Sequence, residues 1–350
     1  MRIGLYTTAL PQDDRKPGGV DVYVDRLADR LGRRGHEVTV FSYSPTPGER
    51  SYRGQRLEPP ETVESRLRRM VVAPARLNAL DIRGLDVLHL HGDDWLYLRR
   101  RLPTVRTFHG SALYEARHAT RARRRASQLA IYPLELLAAR LATASYGLVP
   151  GDGPGYRTVG HLNIGVELAP AEGAGAPAVP TVLFVGTWRG RKRGELLQRA
   201  FVRDVLPRVP RAQLIMVSDH CEPGPGVRWI RRPGEEELAA LYRSASVFCL
   251  PSAYEGFGVP YLEAMAHGVP VVATDNPGAR YVLGGGRHGV IAAPDRIGEE
   301  LARLLTDDGA RAAHARWGRE RAAEFSWEAA LERHEHAYRD AVERYRRRRV

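Results

Sequence analysis

The chain has 350 residues, of which 43% are apolar, and its formal net charge is +12 at neutral pH. This length exceeds one ordinary α/β core and predicts two domains, and the apolar fraction excludes a disordered chain. No run reaches the roughly 18 apolar residues of a membrane span, and we expect no signal peptide. With only two cysteines, Cys221 and Cys249, a disulfide framework is excluded. We therefore expect a cytoplasmic protein in which Cys249 is a buried apolar residue.

The first half of the chain alternates short apolar runs with helical periodicity. Strands are predicted at residues 3–6, 38–41, 87–90, 105–108 and 146–149. Between the first two strands, apolar residues recur at helical spacing, namely Val20, Val24, Leu27 and Leu31. A further helix is predicted over residues 127–142. This order begins a βαβ pattern and therefore predicts a parallel sheet.

Residues 169–180 are rich in Ala, Gly and Pro and predict a linker. The alternation then starts again, with strands predicted at residues 182–185, 213–217, 247–250 and 269–273, and helices at residues 195–205, 235–243 and 260–267. Three helical segments follow from about residue 295. We expect an α/β fold of two doubly wound, Rossmann-like parallel-sheet domains facing a central cleft, with ligands beyond the carboxyl ends of the strands.

The most informative segment is residues 251–274, PSAYEGFGVPYLEAMAHGVPVVAT. A predicted strand ends at Pro251, a glycine-rich turn follows, and Pro260 suits the first turn of a helix. The N–H groups and the dipole at such a helix start bind an anion without any side chain. Glu255 precedes this helix and Glu263 lies within it, and carboxylates are good acceptors for the vicinal hydroxyls of sugars and riboses. The other interpretation is a buried structural pair in a helix-capping turn.

This segment resembles the donor-site motif of the retaining glycosyltransferases of family 4, which have the GT-B architecture. The shared pattern is two Glu separated by seven residues, in the context Pro-Ser-x-x-Glu-Gly-Phe-Gly-x-Pro-x-x-Glu-Ala. The resemblance implies that Glu255 contacts the transferred sugar, as a catalytic residue, and that Glu263 contacts the nucleotide ribose. It also implies that Phe257, Gly258 and Val259 line the sugar and the diphosphate through their backbone.

A second element of the resemblance is a glycine pair, Gly18 and Gly19, between the first strand and the first helix. Glycine lets the backbone approach a phosphate closely, and the resemblance implies that this turn meets the donor diphosphate. A flexible loop without a ligand has the same composition, so the inference depends on the position of the pair.

A third element is the basic turn, residues 186–194, GTWRGRKRG. Family members usually have Gly-Arg here and then Lys-Gly, whose two cations clamp the diphosphate. In this chain Thr187 occupies the usual Arg position and Arg193 precedes Gly194. The cluster still supplies two cations, and its candidates for diphosphate binding are Arg189, Lys192 and Arg193, with Arg191 beside them. A solvated loop is the alternative, and the departure leaves the base and sugar preference open.

Histidines follow the next predicted strands. His89 and His91 share one face of a strand, because strand side chains alternate, and Asp93, Asp94 and His109 follow nearby. Two such histidines would be half of a zinc ligand set, but no carboxylate or Cys at firm spacing completes it, and we predict no metal site. The resemblance implies that His109 is positioned against the transferred sugar, as a catalytic residue. A structural histidine is the alternative.

The resemblance implies an acceptor-side domain at residues 1–168, a nucleotide-sugar-binding domain at residues 169–325, and a helix at residues 326–350 that crosses back to the first domain. The implied reaction moves a hexose-type sugar from a nucleoside-diphosphate sugar, of the UDP or GDP type, to a hydroxyl of a natural product, saccharide or lipid-linked acceptor. It retains anomeric configuration and needs no cofactor and no metal. A phosphorylase or an epimerase on the same fold is the alternative among enzymes.

The positive charge is concentrated. Residues 98–125 contain nine Arg and one Glu, and Arg346–Arg349 add a second cluster. Such patches attract phosphates, anionic lipids or nucleic acid, and a solvated basic face is the plain alternative. A peripheral contact of the Arg99–Arg125 region with the inner face of the membrane is one prediction. A basic nucleic-acid-binding protein is the alternative from another class, but no recognised binding module is present, and we expect no nucleic-acid partner.

Overall fold

The computed structural model describes residues 1–12, 18–57, 71–72, 74–98, 101–119, 121–151, 153, 155–170 and 179–348. The chain divides into two compact units. Unit 1 comprises Met1–Ala116, Arg123–Asn163 and Ala330–Val350, and unit 2 comprises Arg117–Ala122 and Ile164–Ala329. Most of the predicted linker, residues 171–178, lies outside the described residues, as do Arg99, Arg100 and Arg349 of the basic clusters.

The strands and the principal helices follow one another in the predicted alternation. The strands are β1 (Arg2–Tyr6), β2 (Glu37–Ser42), β3 (Arg53–Arg56), β4 (Val87–Leu90), β5 (Thr104–Thr107), β6 (Ala144–Gly147), β7 (Gly160–His161), β8 (Thr181–Val185), β9 (Gln213–Val217), β10 (Val227–Ile230), β11 (Val247–Leu250), β12 (Val271–Thr274) and β13 (Val290–Ala292). The helices are α1 (Gly19–Arg33), α2 (Ala112–Arg117), α3 (Ala122–Leu141), α4 (Gly194–Ala200), α5 (Glu235–Arg243), α6 (Val259–Ala266), α7 (Pro277–Val282), α8 (Ile297–Thr306), α9 (Asp308–Ala323) and α10 (Trp327–Arg347). Among the described helices, none combines the length and the apolar character that a membrane crossing needs.

Unit 1 is built on a seven-stranded sheet in the order β3-β2-β1-β4-β5-β6-β7. Its neighbouring strands pair in parallel, for example Leu5 with Val40 and with His89. Helix α1 buries Val24 and Leu27 completely, as expected for an amphipathic helix that packs one apolar stripe against a sheet. The described part of α10 from residue 330 onward belongs to this unit.

Unit 2 is built on a six-stranded parallel sheet in the order β10-β9-β8-β11-β12-β13. The chain order reverses between β8 and β11, which pair side by side. In open α/β sheets ligands bind at the carboxyl ends of the strands next to such a reversal. The loops that follow β8 and β11 are the basic turn and the Glu255 segment, so both predicted donor elements of this unit lie at that edge.

Each predicted strand and helix overlaps an observed one, with differences at the ends. The strand predicted at residues 146–149 is observed as Ala144–Gly147, because Leu148 and Val149 are buried but lie past the sheet pairing. The helix predicted over residues 195–205 ends in a π-helical turn, Phe201–Val205, which buries Phe201 and Val205. Strands β3, β7, β10 and β13 are not among the predicted strands. They lie at sheet edges and are short or largely exposed, so they lack the longer apolar runs that mark central strands.

Candidate active site

The loop between β11 and α6 holds Glu255 in a fixed backbone conformation. The N–H of Gly278 donates to the Glu255 carbonyl oxygen at 3.0 Å, and the N–H of Ala253 donates to the Arg191 carbonyl oxygen at 2.7 Å. A Cβ on Gly278 would lie 2.6 Å from the carbonyl oxygen of Phe257, so only glycine permits this approach. The loop is therefore tied both to α7 and to the basic turn.

The Glu255 carboxylate is buried and meets two cations. Its Oε1 lies 2.8 Å from Lys192 Nζ and 3.1 Å from Arg191 Nη1, while the residue as a whole is 4% exposed. Burial by itself raises the pKa of Glu255, but Lys192 and Arg191 outweigh it, so the pKa is lowered and Glu255 is ionised. Burial lowers the pKa of Lys192 in spite of Glu255. The three side chains together carry one more positive than negative charge.

The four basic residues of the turn differ in their contacts. Arg191 and Lys192 contact Glu255, and Arg191 also donates from Nη1 to the carbonyl oxygen of Tyr254 at 3.0 Å. Arg189 is largely exposed and lies 3.8 Å from Glu195. Arg193 has a φ of +55°, a left-handed conformation that is uncommon for a residue with a Cβ. The predicted diphosphate contacts of Arg189, Lys192 and Arg193 stay predictions.

Arg193 also lines a cavity of about 470 Å³ at the carboxyl edge of the sheet in unit 2. The other walls are Ala253, Thr274, Asp275 and residues 291–294. The cavity thus adjoins both the basic turn and the Glu255 loop, and its lining residues include one cation, Arg193, and one carboxylate, Asp275.

Helix α6 begins at Val259, between Glu255 and Glu263, as the sequence predicts. Its N-cap, Gly258, has a φ of +91°, and a Cβ there would lie 2.3 Å from the Tyr261 ring. Pro260 occupies the first turn, and the first N–H groups of a helix have no intrahelical partner. The Phe257 ring is buried and packs edge-to-face on Phe325 at 5.7 Å. Phe257 therefore has its backbone, and not its side chain, available for a ligand.

Glu263 lies one turn into α6 and is only partly buried. The hydroxyl of Tyr242 donates to its Oε2 at 2.9 Å. Burial and the nearby Glu263 raise the pKa of Tyr242 well above its usual range, so Tyr242 stays protonated and acts as the donor. This hydrogen bond orients the carboxylate, and the ribose role of Glu263 stays a prediction.

In unit 1, His109 follows β5 and belongs to a group of packed rings. Its Nε2 lies 3.0 Å from Nδ1 of His91, and the edge of Tyr23 meets its ring at a centroid distance of 5.3 Å. Burial, and next the Arg106 cation, lower the pKa of His109 to about 3. Burial likewise lowers the pKa of His91 far below 6.5. Both rings are therefore neutral at physiological pH.

One N–H group of the turn before α1 already has a hydrogen-bond partner on the helix itself. The N–H of Gly18, the N-cap, donates to Asp21 Oδ2 at 3.1 Å. A Cβ on Gly19 would meet no atom of the described residues within 4 Å, so their packing does not require a glycine here. Residues 13–17, which precede the pair, lie outside the described chain. The diphosphate role of Gly18 and Gly19 stays a prediction.

The sequence placed Arg191 in the basic cluster but did not predict its contact with Glu255. The partners of the histidines were not predicted either. His334 and Tyr338, spaced by four residues on α10, were the available signal, since this spacing puts both on one face of a helix. In the part of the chain that the structure describes, no three His, Cys, Asp or Glu side chains form a group that could hold a metal ion.

The same fold occurs in solved structures. The chain matches sucrose-phosphate synthase from Thermosynechococcus elongatus with a TM-score of 0.75 and 22% identity, over 97% of this chain and 98% of that one. It matches Anabaena HepE, solved in complex with UDP and glucose, with a TM-score of 0.70 and 16% identity, over 96% and 98%. Two parallel-sheet α/β units and the likeness to these solved structures define the GT-B fold.

Sequence comparisons narrow this class to one family. Residues 17–144 match the model "Glycosyltransferase Family 4", and residues 179–307 match "Glycosyl transferases group 1". The chain is 27% identical to a D-inositol 3-phosphate glycosyltransferase of Corynebacterium jeikeium, over 94% of each chain. It is 29% identical to a phosphatidyl-myo-inositol mannosyltransferase of Mycobacterium leprae, over 93% of each. The chain belongs to the family 4 glycosyltransferases.

Proposed function

We propose that this glycosyltransferase moves a hexose-type sugar from a nucleoside-diphosphate sugar, of the UDP or GDP type, to an acceptor hydroxyl with retention of anomeric configuration. The observation that carries the proposal is the buried Glu255 carboxylate held by Arg191 and Lys192 at the start of α6. A carboxylate can accept hydrogen bonds from sugar hydroxyls, and the surplus positive charge of the three side chains suits a diphosphate.

The proposed chemistry separates charge between the sugar and the leaving group. Positive charge develops on the sugar while negative charge develops on the diphosphate. Arg191, Lys192 and the N–H groups of Phe257 to Val259 would stabilise the leaving diphosphate, since preorganised donors act most strongly where charge develops. These cations supply the charge that a divalent metal supplies elsewhere, so we propose a reaction that needs neither metal nor cofactor. Full activity in excess EDTA is the expected result.

The donor is tested by thermal stabilisation. The purified chain is heated with UDP, GDP, ADP or dTDP at millimolar concentration, and with each sugar-linked form. We expect UDP or GDP and its sugar conjugate to raise the melting temperature above the others, because a ligand stabilises the folded state that binds it. No shift with any of the four would contradict a nucleotide-sugar site.

The reaction is tested by product analysis with the donor so identified. We expect a glycoside whose anomeric configuration, read by NMR, matches that of the donor. The acceptor panel includes D-inositol 3-phosphate and phosphatidylinositol, because the relatives in Corynebacterium and Mycobacterium are named for them, together with saccharides and natural products. Free sugar phosphate, an epimer or an inverted glycoside would point to another activity or mechanism.

The role of Glu255 is tested by Glu255→Gln. Removal of the charge leaves Arg191 and Lys192 without a carboxylate partner and weakens the proposed sugar contact, so kcat/KM should fall by about a hundredfold or more. Glu237→Gln, at an exposed glutamate of α5, is the matched control and should keep wild-type turnover. If the two variants are equally active, the assignment of Glu255 is wrong.

We also propose a cytoplasmic enzyme with a peripheral contact to anionic lipid through α3. Leu129 and Leu137 are 47% and 40% exposed on this helix, and Arg123 and Arg125 are exposed near its start. Their spacing puts the two leucines on one stripe of the helix with the arginines at its borders. Basic residues that flank exposed apolar ones favour the surface of an anionic bilayer.

A further inference from the structure

Unit 1 contains a cluster of imidazole and phenol rings, most of them buried. Its members are Tyr23 of α1, His89 and His91 at the end of β4, His109 after β5, and His334 and Tyr338 of α10. In this cluster His109 is the member with a proposed role in transfer, and the rest have none in the mechanism above. The hydrogen bonds inside the cluster determine which nitrogen of each ring carries a proton.

The state of His334 follows directly from its partners. Its Nδ1 lies 2.7 Å from the carbonyl oxygen of Ala330, which can only accept, so Nδ1 carries the proton. Burial lowers the pKa of His334 to about 4, and the ring is therefore neutral. Its Nε2 must then accept from the hydroxyl of Tyr23, which lies 2.7 Å away. The single hydroxyl proton of Tyr23 is thus committed to His334 and is not available to His91 or His109.

The hydrogen bond between His91 and His109 can run in either of two directions. Both rings are neutral, so one hydrogen lies between Nδ1 of His91 and Nε2 of His109. If His109 donates it, the other proton of the pair sits on Nε2 of His91. That atom is buried and has no hydrogen-bond partner among the described residues. If His91 donates, Nε2 of His91 carries only a lone pair.

The second arrangement is favoured, because buried N–H groups without an acceptor are rarer than under-satisfied acceptors. The neighbouring rings also prevent His91 from turning to relieve a buried N–H. The ring of His89 lies 3.9 Å from that of His91, centroid to centroid, and Tyr23 contacts its edge at 5.8 Å. His89 in turn is held by the hydroxyl of Tyr338 at Nδ1 and by Thr107 at Nε2.

We infer that His91 is a positioning residue that fixes His109 as the neutral Nδ1–H tautomer, so that His109 acts as a hydrogen-bond donor and not as a general base. With Nε2 of His109 accepting from His91, its proton resides on Nδ1, for which the described residues provide no hydrogen bond. The chemical partner of this N–H is an oxygen with a lone pair, such as a sugar hydroxyl or a phosphoryl oxygen. The inference rests on the proposed role of His109 in transfer.

The tautomer is measured by ¹⁵N NMR of the imidazole nitrogens of the full chain without substrate. The signals of His109 are assigned by their loss in His109→Ala. We expect Nδ1 of His109 to have the shift of a protonated nitrogen and Nε2 that of an unprotonated one. The reverse pattern overturns the inference. This NMR measurement does not depend on turnover. The proposed role of His109 in transfer is tested separately by the activity of His109→Ala, and full activity of that variant would contradict the role.

The positioning role is measured by a pair of variants. His91→Leu removes the hydrogen bond, while His91→Asn retains an amide at the position of Nδ1. We expect His91→Leu to lower kcat by about tenfold, the cost of one lost neutral hydrogen bond, with the KM for donor nearly unchanged and both His109 tautomers present. His91→Asn should recover most of kcat.

His89→Gln is the control for loss of packing in the cluster. It removes the ring stacked on His91 but leaves the bond between His91 and His109. We expect a lower melting temperature with the Nδ1–H pattern of His109 preserved. If His91→Asn and His91→Leu lose the same activity while the tautomer of His109 is unchanged in both, His91 has only a structural role and the inference is wrong.

Discussion

At the scale of single residues, the ionisation of Glu255 depends on its two cations. Burial alone would raise the pKa of this carboxyl, and Lys192 and Arg191 reverse the shift. Buried ion pairs of this kind contribute little net stability, but they become costly when one partner is removed. The triad is therefore better explained by function, since it keeps a charged acceptor at the carboxyl edge of a sheet.

We predict that Lys192→Met moves the acidic limb of the kcat/KM profile to higher pH. Without Lys192, one of the two charges that lower the pKa of Glu255 is lost, so the carboxyl binds its proton at a higher pH and activity falls off sooner on acidification. The measurement is a pH–rate profile between pH 4 and 8. Arg199→Met, at an exposed arginine of α4, should leave the limb unchanged. An unshifted limb in Lys192→Met would contradict the dependence of Glu255 on Lys192.

At the scale of elements, the start of α1 and the exposed face of α3 have compositions that the described packing does not require. At the start of α1, a Cβ on Gly19 would meet no described atom within 4 Å. Helix α3 exposes leucine and arginine together. Each feature leads to a direct test.

For α1, we predict that Gly19→Ala weakens donor binding without destabilising the fold. Alanine has the higher helix propensity by up to about 1 kcal/mol, so the melting temperature should stay level or rise. If the diphosphate approaches this backbone, a methyl group obstructs it and the Kd for nucleotide sugar rises by about tenfold. Gly234→Ala, at the open N-cap of α5, is the matched control. Unchanged affinity in Gly19→Ala would remove Gly19 from the donor site.

For α3, we predict binding to vesicles that contain phosphatidylglycerol or phosphatidylserine, and not to phosphatidylcholine vesicles. The double variant Leu129→Gln with Leu137→Gln should lose most of this binding because it removes the apolar contact. Arg123→Gln with Arg125→Gln should weaken binding chiefly at low salt, where electrostatic attraction is least screened. Co-sedimentation is the measurement. Equal binding to neutral vesicles, or no effect of either double variant, would contradict the proposed contact.

At the scale of the whole molecule, unit 1 holds four histidines in neutral form, and His89, His91 and His334 among them are buried. The pKa of His109 is lowered to about 3 and that of His334 to about 4, and those of His89 and His91 are lowered well below 6.5, in each case chiefly by burial. In the unfolded chain a histidine titrates near 6.5. The unfolded state therefore takes up protons, on acidification, that the native state does not.

We predict that the free energy of unfolding of unit 1 has its full value above about pH 6.5 and decreases as the pH is lowered toward 4. A histidine that is neutral in the native state and charged in the unfolded state contributes a slope of at most about 1.4 kcal/mol per pH unit. Urea unfolding at pH 7.5 and at pH 5 measures this loss. His334→Leu removes one of the four groups, so its stability should fall less steeply between these two pH values. A free energy of unfolding that is constant between pH 7.5 and pH 5 would contradict the neutral cluster.

Sequence alone determined the features that depend on local pattern. The alternation of apolar runs and helical periodicity predicted both parallel sheets, because buried parallel strands and amphipathic helices each leave a short-range signature. The glycine-rich turn followed by Pro260 predicted a helix start between Glu255 and Glu263, and α6 is observed at Val259–Ala266. Edge strands such as β3 escaped prediction because backbone pairing, and not apolar burial, forms them.

Only the tertiary structure decided which side chains meet. The basic turn contains four cations, and in the structure Arg191 and Lys192 contact Glu255. Arg193 has a left-handed backbone, and the carbonyl oxygen of Arg191 accepts a hydrogen bond from Ala253. Tyr338 reaches His89 across 249 residues of chain, and His334 reaches Tyr23 across 311. Hydrogen bonds between residues so far apart leave no periodic trace in a sequence, because their geometry exists only once the sheet and α10 have packed together.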